Sequence, residues 1–216
     1  MSKKEIVVID YGLGNLLSVE RAIEKCGAVP IITDNSNIII NSDKVILPGV
    51  GAFRKGMEAL KLRGLDNVIK NLFIKKTPLL GICLGMQLLF DSSEEFGYVK
   101  GLGILPGKVL PIPTKDKNFK ELKIPNNGWR LLKINNQNLK NKTFFKFKSI
   151  ENSEYYFTHS YMALPDDNSI NFASCVYGGH NICSVVIIEN FIGTQFHPEK
   201  SGKAGLNLLK IFIDQS

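Results

Sequence analysis

Cys83 stands between two glycines in LLGICLGMQLLF, residues 79–90, and far along the chain a histidine and a glutamate fall two apart in GTQFHPEKSG, residues 193–202. A thiol, an imidazole and a carboxylate are the parts of a nucleophile, its base and the group that orients the base. The spacing Gly81-x-Cys83-x-Gly85 fits a nucleophile on a sharp strand-to-helix turn, where larger side chains two residues away would collide with sheet or helix. The helix that follows would add its N-terminal partial positive charge, which favours a thiolate, and leave backbone N–H groups free for an oxyanion. Taken alone, Cys83 fits an inert core thiol as well, with the glycines allowing close packing.

The histidines bear on that choice. In an extended segment, residues two apart share a side, and Pro198 fixes the local geometry. Glu199 then reaches one imidazole nitrogen of His197 while the other faces the thiol, displaying Cys83 as a nucleophile. His159 in YFTHSY and His180 in YGGHN have no acid two residues on, and a structural or surface role fits them better. The remaining need is a second oxyanion donor. LPGVGAF, residues 47–53, ends a strand-like run with a glycine-flanked loop that would set the N–H of Val50 or Gly51 opposite that of Leu84. Losing one such donor costs about 3 kcal/mol of transition-state stabilisation, so the loop's conformation would act as a switch. By itself PGVG is also an ordinary turn.

These groups need a frame. EIVVID, AVPIIT, KVILPGVG and TPLLGI read as buried strands, and residues 18–27, 56–75 and 84–91 carry helical spacing. Strands alternating with helices predict a largely parallel sheet covered on both faces, with active loops at its carboxyl edge. After about residue 100, GILPGKVLPI, GWRLLKI, YYFTHSYMAL, FASCVYGG, NICSVVIIEN and FIGTQFH are strand-like and turn-connected, which predicts antiparallel additions. A closing helix at 202–213 puts Leu206, Leu209 and Phe212 on one side. The expected fold is mixed α/β in a single domain spanning 1–216.

Bulk properties narrow the function. A domain of 216 residues removes roughly 70% of its unfolded-chain surface from water, enough for one sizeable core. No apolar run is long enough for a membrane span, and MSKKEIVVID enters a strand without a cleavage signal, so a cytoplasmic protein with no membrane partner is expected. Cys26, Cys83, Cys175 and Cys183 show no metal-ligand spacing, and neither a metal nor a cofactor is expected. The net charge of +7 is scattered, without aromatic interleaving or a recognition motif. It reads as a solvated basic face or a docking surface for an acidic protein, and no nucleic acid is expected.

PGVGAF, GICLGMQLL and QFHPEKSG, in that order, resemble the class I glutamine amidotransferases. With DYGLGNLLSV and YYFTHSY added, the chain closely resembles the glutaminase subunits of imidazole glycerol phosphate synthase, from about residue 5 to 213. The resemblance implies that Cys83 attacks the glutamine amide, His197 passes its proton to departing ammonia, and Glu199 orients His197. It implies substrate contacts from Gly51, Gln87, Glu95, His159, Ser160 and Tyr161, with Glu95 a candidate for the substrate ammonium. It also implies a heterodimer with a (βα)8-barrel synthase subunit that receives ammonia, stimulates hydrolysis when ligand-bound and reorients the PGVG peptide. Asn15, Trp129, Arg130 and Lys200 would face that subunit. Where the family reads Pro-His-x-Gly-Trp-Asn, this chain has Pro125-Asn126-Asn127-Gly128-Trp129-Arg130. That departure leaves open an alternative acceptor, a surface-sugar precursor served by paralogous amidotransferases.

Overall fold

The computed structural model describes residues 3–135 and 147–214. The first half runs β1 (Glu5–Ile9), α1 (Leu16–Lys25), β2 (Val29–Thr33), α2 (Ser36–Ile40), β3 (Val45–Leu47), α3 (Phe53–Leu62), α4 (Leu65–Ile74), β4 (Leu79–Ile82) and α5 (Leu84–Leu88). The strands β2, β1, β3 and β4 lie side by side, all parallel. Along β1, Ile6 and Val8 pack into one core with Val19 and Ile23 of α1, while Val7 and Ile9 pack into a second with Phe53 and Met57 of α3. Alternate side chains therefore meet helices on both faces, which is why these strands are apolar throughout.

The second half adds β5 (Phe90–Ser93), β6 (Val99–Lys100), β7 (Leu105–Pro111), β8 (Asn126–Leu131), β9 (Lys133–Ile134), β10 (Glu154–His159), β11 (Tyr161–Pro165), β12 (Asn171–Tyr177), β13 (His180–Ile188), β14 (Phe191–Thr194) and α6 (Gly202–Asp214). The central sheet has eight strands in the order β2-β1-β3-β4-β14-β13-β12-β9. β14 joins it parallel to β4, and β13, β12 and β9 continue it antiparallel. The mixed, largely parallel architecture is as expected. The additions are divided, however: β11-β7-β5-β6 and β10-β8 form two separate small sheets.

Three predicted elements differ in detail. The helix expected over 56–75 is two helices, because Gly64 adopts a left-handed conformation (φ 66°) and its N–H closes the end of α3 on the Lys61 carbonyl. The helix expected over 84–91 stops at Leu88. The carbonyls of Leu88 and Leu89 accept hydrogen bonds from Leu102, Ile104 and Leu105, and the chain is drawn into β5. YYFTHSYMAL is two strands in different small sheets, divided at Ser160. Among the described residues no helix is long and apolar enough to cross a membrane.

Candidate active site

The strands β3, β4 and β14 are neighbours and run the same way, with Leu47 beside Gly81 and Ile82 beside Thr194. Their carboxyl ends therefore deliver the PGVG loop, Cys83 and the segment up to His197 to one place. Cys83 has φ 53° and ψ −108°, a region that non-glycine residues occupy only under constraint, and its N–H donates to the Thr194 carbonyl at 2.7 Å. The flanking glycines are required by contact. A Cβ on Gly81 would lie 2.9 Å from the Met86 nitrogen, and one on Gly85 would be driven into the Leu47 peptide, 2.9 Å from its carbonyl carbon. Cys83 is 8% exposed and sits at the floor of a cavity, so the elbow displays its thiol inward and not to the outer surface.

His197 is 1% exposed. Its N–H donates to the Tyr156 carbonyl at 3.0 Å, and its carbonyl accepts from the Ser201 hydroxyl at 2.6 Å. Nδ1 of His197 lies 2.8 Å from Oε1 of the buried Glu199 carboxylate. Because a carboxylate only accepts, Nδ1 carries the proton in that bond, and Nε2 is the nitrogen left for the thiol. Among the described residues Nε2 has no hydrogen-bond partner, yet Cys83 acts on the ring electrostatically. Burial disfavours the imidazolium, but the Cys83 sulfur and the Glu199 carboxylate outweigh it and raise the His197 pKa to about 10.

A cavity of about 360 Å³ opens above the sulfur. Val50, Gly51 and Leu84, the expected oxyanion positions, line it, as do Gln87, Glu95, His159, Ser160 and Tyr161, together with Cys83 and His197. Glu199 lies behind His197 and does not line it. Leu84 opens α5, where helix geometry leaves its N–H without an intrahelical acceptor. Gly51 has φ 100°, which only glycine adopts without strain. Oε2 of Glu95 accepts from the Phe53 N–H at 2.6 Å, so this carboxylate also caps α3 and ties down the end of the PGVGAF loop.

His159 is buried and neutral. Nδ1 donates to the Tyr161 carbonyl at 2.8 Å and Nε2 accepts from the Asn126 amide at 3.0 Å. Burial is the main cause that lowers its pKa to about 4. Two polar residues of this region, Gln195 and Asn126, are not among the site residues expected from the sequence. Gln195 is fully buried, accepts from Gln87 Nε2 at 2.9 Å and donates to Cys83 Sγ at 3.7 Å. Its position two residues before His197 is the only sequence signal it carries.

The four residues expected to face a partner lie outside the cavity. Asn15 caps α1, its side chain accepting from the Ser18 N–H at 3.4 Å. Trp129 is 48% exposed and packs edge-on against Tyr156. Arg130 stacks over Tyr177 and donates to the Trp129 carbonyl. Lys200 is exposed, next to the buried Glu199.

Comparison with known proteins identifies the family. The family model for glutamine amidotransferase class-I matches residues 7–215. Proteins named imidazole glycerol phosphate synthase subunit HisH are similar over nearly the whole chain. The one from Geobacter sulfurreducens is 41% identical over 96% of this chain and 97% of its own, and the one from Syntrophotalea carbinolica is 43% identical over 97% and 99%. Among solved structures, PurLQS from Thermotoga maritima matches with a TM-score of 0.69, 20% identity and 99% coverage of both chains. The glutaminase domain of CTPS from Trypanosoma brucei matches with a TM-score of 0.64 and 15% identity, over 99% of this chain and 95% of its own. These two likenesses speak to fold. The sequence relatives and the family match go further: the chain belongs to the class I glutamine amidotransferases, in the branch of imidazole glycerol phosphate synthase subunit HisH.

Proposed function

We propose that the chain hydrolyses glutamine to glutamate and ammonia as a subunit of imidazole glycerol phosphate synthase, in histidine biosynthesis. The observation that carries the mechanism is the 2.8 Å contact of Glu199 with His197 Nδ1, which leaves Nε2 for the cysteine at the floor of the cavity. The Cys83 thiolate attacks the side-chain amide carbon, forming a C–S bond. The developing oxyanion is met by the N–H groups of Leu84 and of Val50 or Gly51. His197 delivers a proton to the leaving nitrogen as the C–N bond breaks, and ammonia departs from a glutamyl thioester. Water, deprotonated by His197, then attacks the thioester; glutamate leaves and the thiol is restored. Gly51, Gln87, Glu95, His159, Ser160 and Tyr161 surround the substrate, with Glu95 facing its ammonium group.

Ammonia passes to a (βα)8-barrel synthase subunit, which forms imidazole glycerol phosphate and aminoimidazole carboxamide ribotide. Asn15, Trp129, Arg130 and Lys200 face it. The names of the relatives support this acceptor over the surface-sugar alternative, which rests on Asn126 and Arg130 alone. The test is glutamate release with and without the cognate barrel subunit bearing its nucleotide ligand. Stimulation by the liganded barrel supports the assignment, and the absence of any stimulation overturns it.

A further inference from the structure

Four buried polar side chains from separate segments, joined in two pairs through the Tyr161 backbone carbonyl, form a hydrogen-bonded line that ends on the reacting sulfur. Asn126 on β8 donates to His159 Nε2 at 3.0 Å, and His159 Nδ1 donates to the Tyr161 carbonyl at 2.8 Å. Gln87 Nε2 on α5 donates to that same carbonyl at 3.1 Å and to Gln195 Oε1 at 2.9 Å, and Gln195 Nε2 reaches Cys83 Sγ at 3.7 Å. Asn126 and Gln195 are fully buried, and His159 and Gln87 nearly so.

The direction of every bond follows from one backbone oxygen. A carbonyl only accepts, so the Tyr161 oxygen requires a proton on His159 Nδ1 and the amide nitrogen of Gln87 on its other side. With Nδ1 protonated, neutral His159 accepts at Nε2, and Asn126 must present its NH2. With both N–H bonds of Gln87 used, Gln195 must present oxygen to Gln87 and nitrogen to sulfur. Two consequences reach the cavity. The sulfur receives an N–H donor from Gln195, and the only polar group Gln87 has left for a ligand is its carbonyl oxygen, an acceptor suited to a substrate N–H. Buried polar groups joined in this way hold one another in a single orientation, and loss of one member frees the next.

We propose that Asn126, His159, Gln87 and Gln195 act as a positioning relay for the nucleophile, with Asn126 acting on Cys83 through His159, the shared Tyr161 carbonyl, Gln87 and Gln195. The proposal rests on the glutaminase reading for its catalytic meaning, but its test does not need glutamine. Alkylation of Cys83 by iodoacetamide at neutral pH, followed by mass spectrometry of its peptide, reads the sulfur directly in the folded chain. Losing one net hydrogen bond corresponds to a change of roughly tenfold, the loss expected for Gln195→Met. Gln195→Glu, of the same shape and without the donor, should lose as much. Asn126→Leu should slow alkylation about threefold, since a partner several bonds away is loosened and not removed. Asn126→His, which keeps an N–H donor, should restore the rate.

The double variant Asn126→Leu with Gln195→Met should react no more slowly than Gln195→Met alone, because its last link is already missing. Effects that multiply, or wild-type rates in either folded Gln195 variant, overturn the relay. Should the wild-type complex fail to hydrolyse glutamine while the coupling persists, the glutaminase reading falls and the relay stands.

Discussion

Oε1 of Glu199 and Nδ1 of His197 lie 2.8 Å apart on a buried turn, joined by a single proline. This contact fixes which imidazole nitrogen faces Cys83 and stabilises the ring once it is protonated. Glu199→Gln keeps the shape but loses the charge, and its amide no longer enforces one tautomer. It should lower kcat for glutamine hydrolysis by about 10²–10⁴-fold with a smaller change in KM. Steady-state kinetics on the complex with the barrel subunit checks this.

Cys83 first and Glu199 second raise the His197 pKa against the effect of burial, which gives stability a pH signature. The folded pKa of His197, about 10, exceeds its ordinary value of 6.5, so the folded state holds the proton more tightly than the unfolded chain. The stabilisation is fully present below about pH 6.5 and is lost as pH rises through about 10. Urea midpoints of the wild type and His197→Gln should therefore converge as pH rises across that window.

His159 works in the opposite sense. Its folded pKa of about 4 lies below the ordinary 6.5, so the unfolded chain takes up a proton first as pH falls. Stability linked to this group is complete above about pH 6.5 and declines towards pH 4, by up to about 3 kcal/mol. His159→Phe should be less stable at neutral pH but show a shallower acid slope in the same titration.

Glu95 carries two separable duties, capping the Phe53 N–H and lining the cavity. Glu95→Gln retains an acceptor for the cap and should change stability by less than about 0.5 kcal/mol. Having lost the charge proposed to meet the substrate ammonium, it should raise KM for glutamine about tenfold. Glu95→Ala should lose about 1 kcal/mol of stability as well. Thermal denaturation and glutaminase kinetics separate the two effects.

At Gly85 the effect is steric. A methyl group there meets the Leu47 peptide, which is fixed by β3, so Gly85→Ala should destabilise by about 3 kcal/mol or more. Gly27, at φ 85°, has open space around it, so Gly27→Ala should cost only about 1–2 kcal/mol through backbone strain. Chemical denaturation of the two variants compares the mechanisms.

What the sequence discloses about this site follows from the range of each signal. Cys83 with its glycines and His197 with Glu199 are local patterns, and apolar strands ending in glycine loops place them at one sheet edge without coordinates. Gln195 carries no such signal, because a glutamine just past the end of an apolar strand has meaning only once Gln87 and Cys83 are known to flank it. Asn126 is visible as a departure from the family pattern, but its link to His159 depends on the pairing of β8 with β10 across 33 residues. The early end of α5 has the same origin: acceptors on Leu88 and Leu89 are claimed by residues more than a dozen positions later. Local periodicity cannot report such tertiary hydrogen bonds.

Covalent catalysis by Cys83 is read out by acid-quenched mass spectrometry during turnover of glutamine. A glutamyl adduct confined to the Cys83 peptide is predicted, with neither adduct nor glutamate release in Cys83→Ala. Glutamate release that persists in Cys83→Ala, or an adduct on another residue, would contradict covalent catalysis by this thiol.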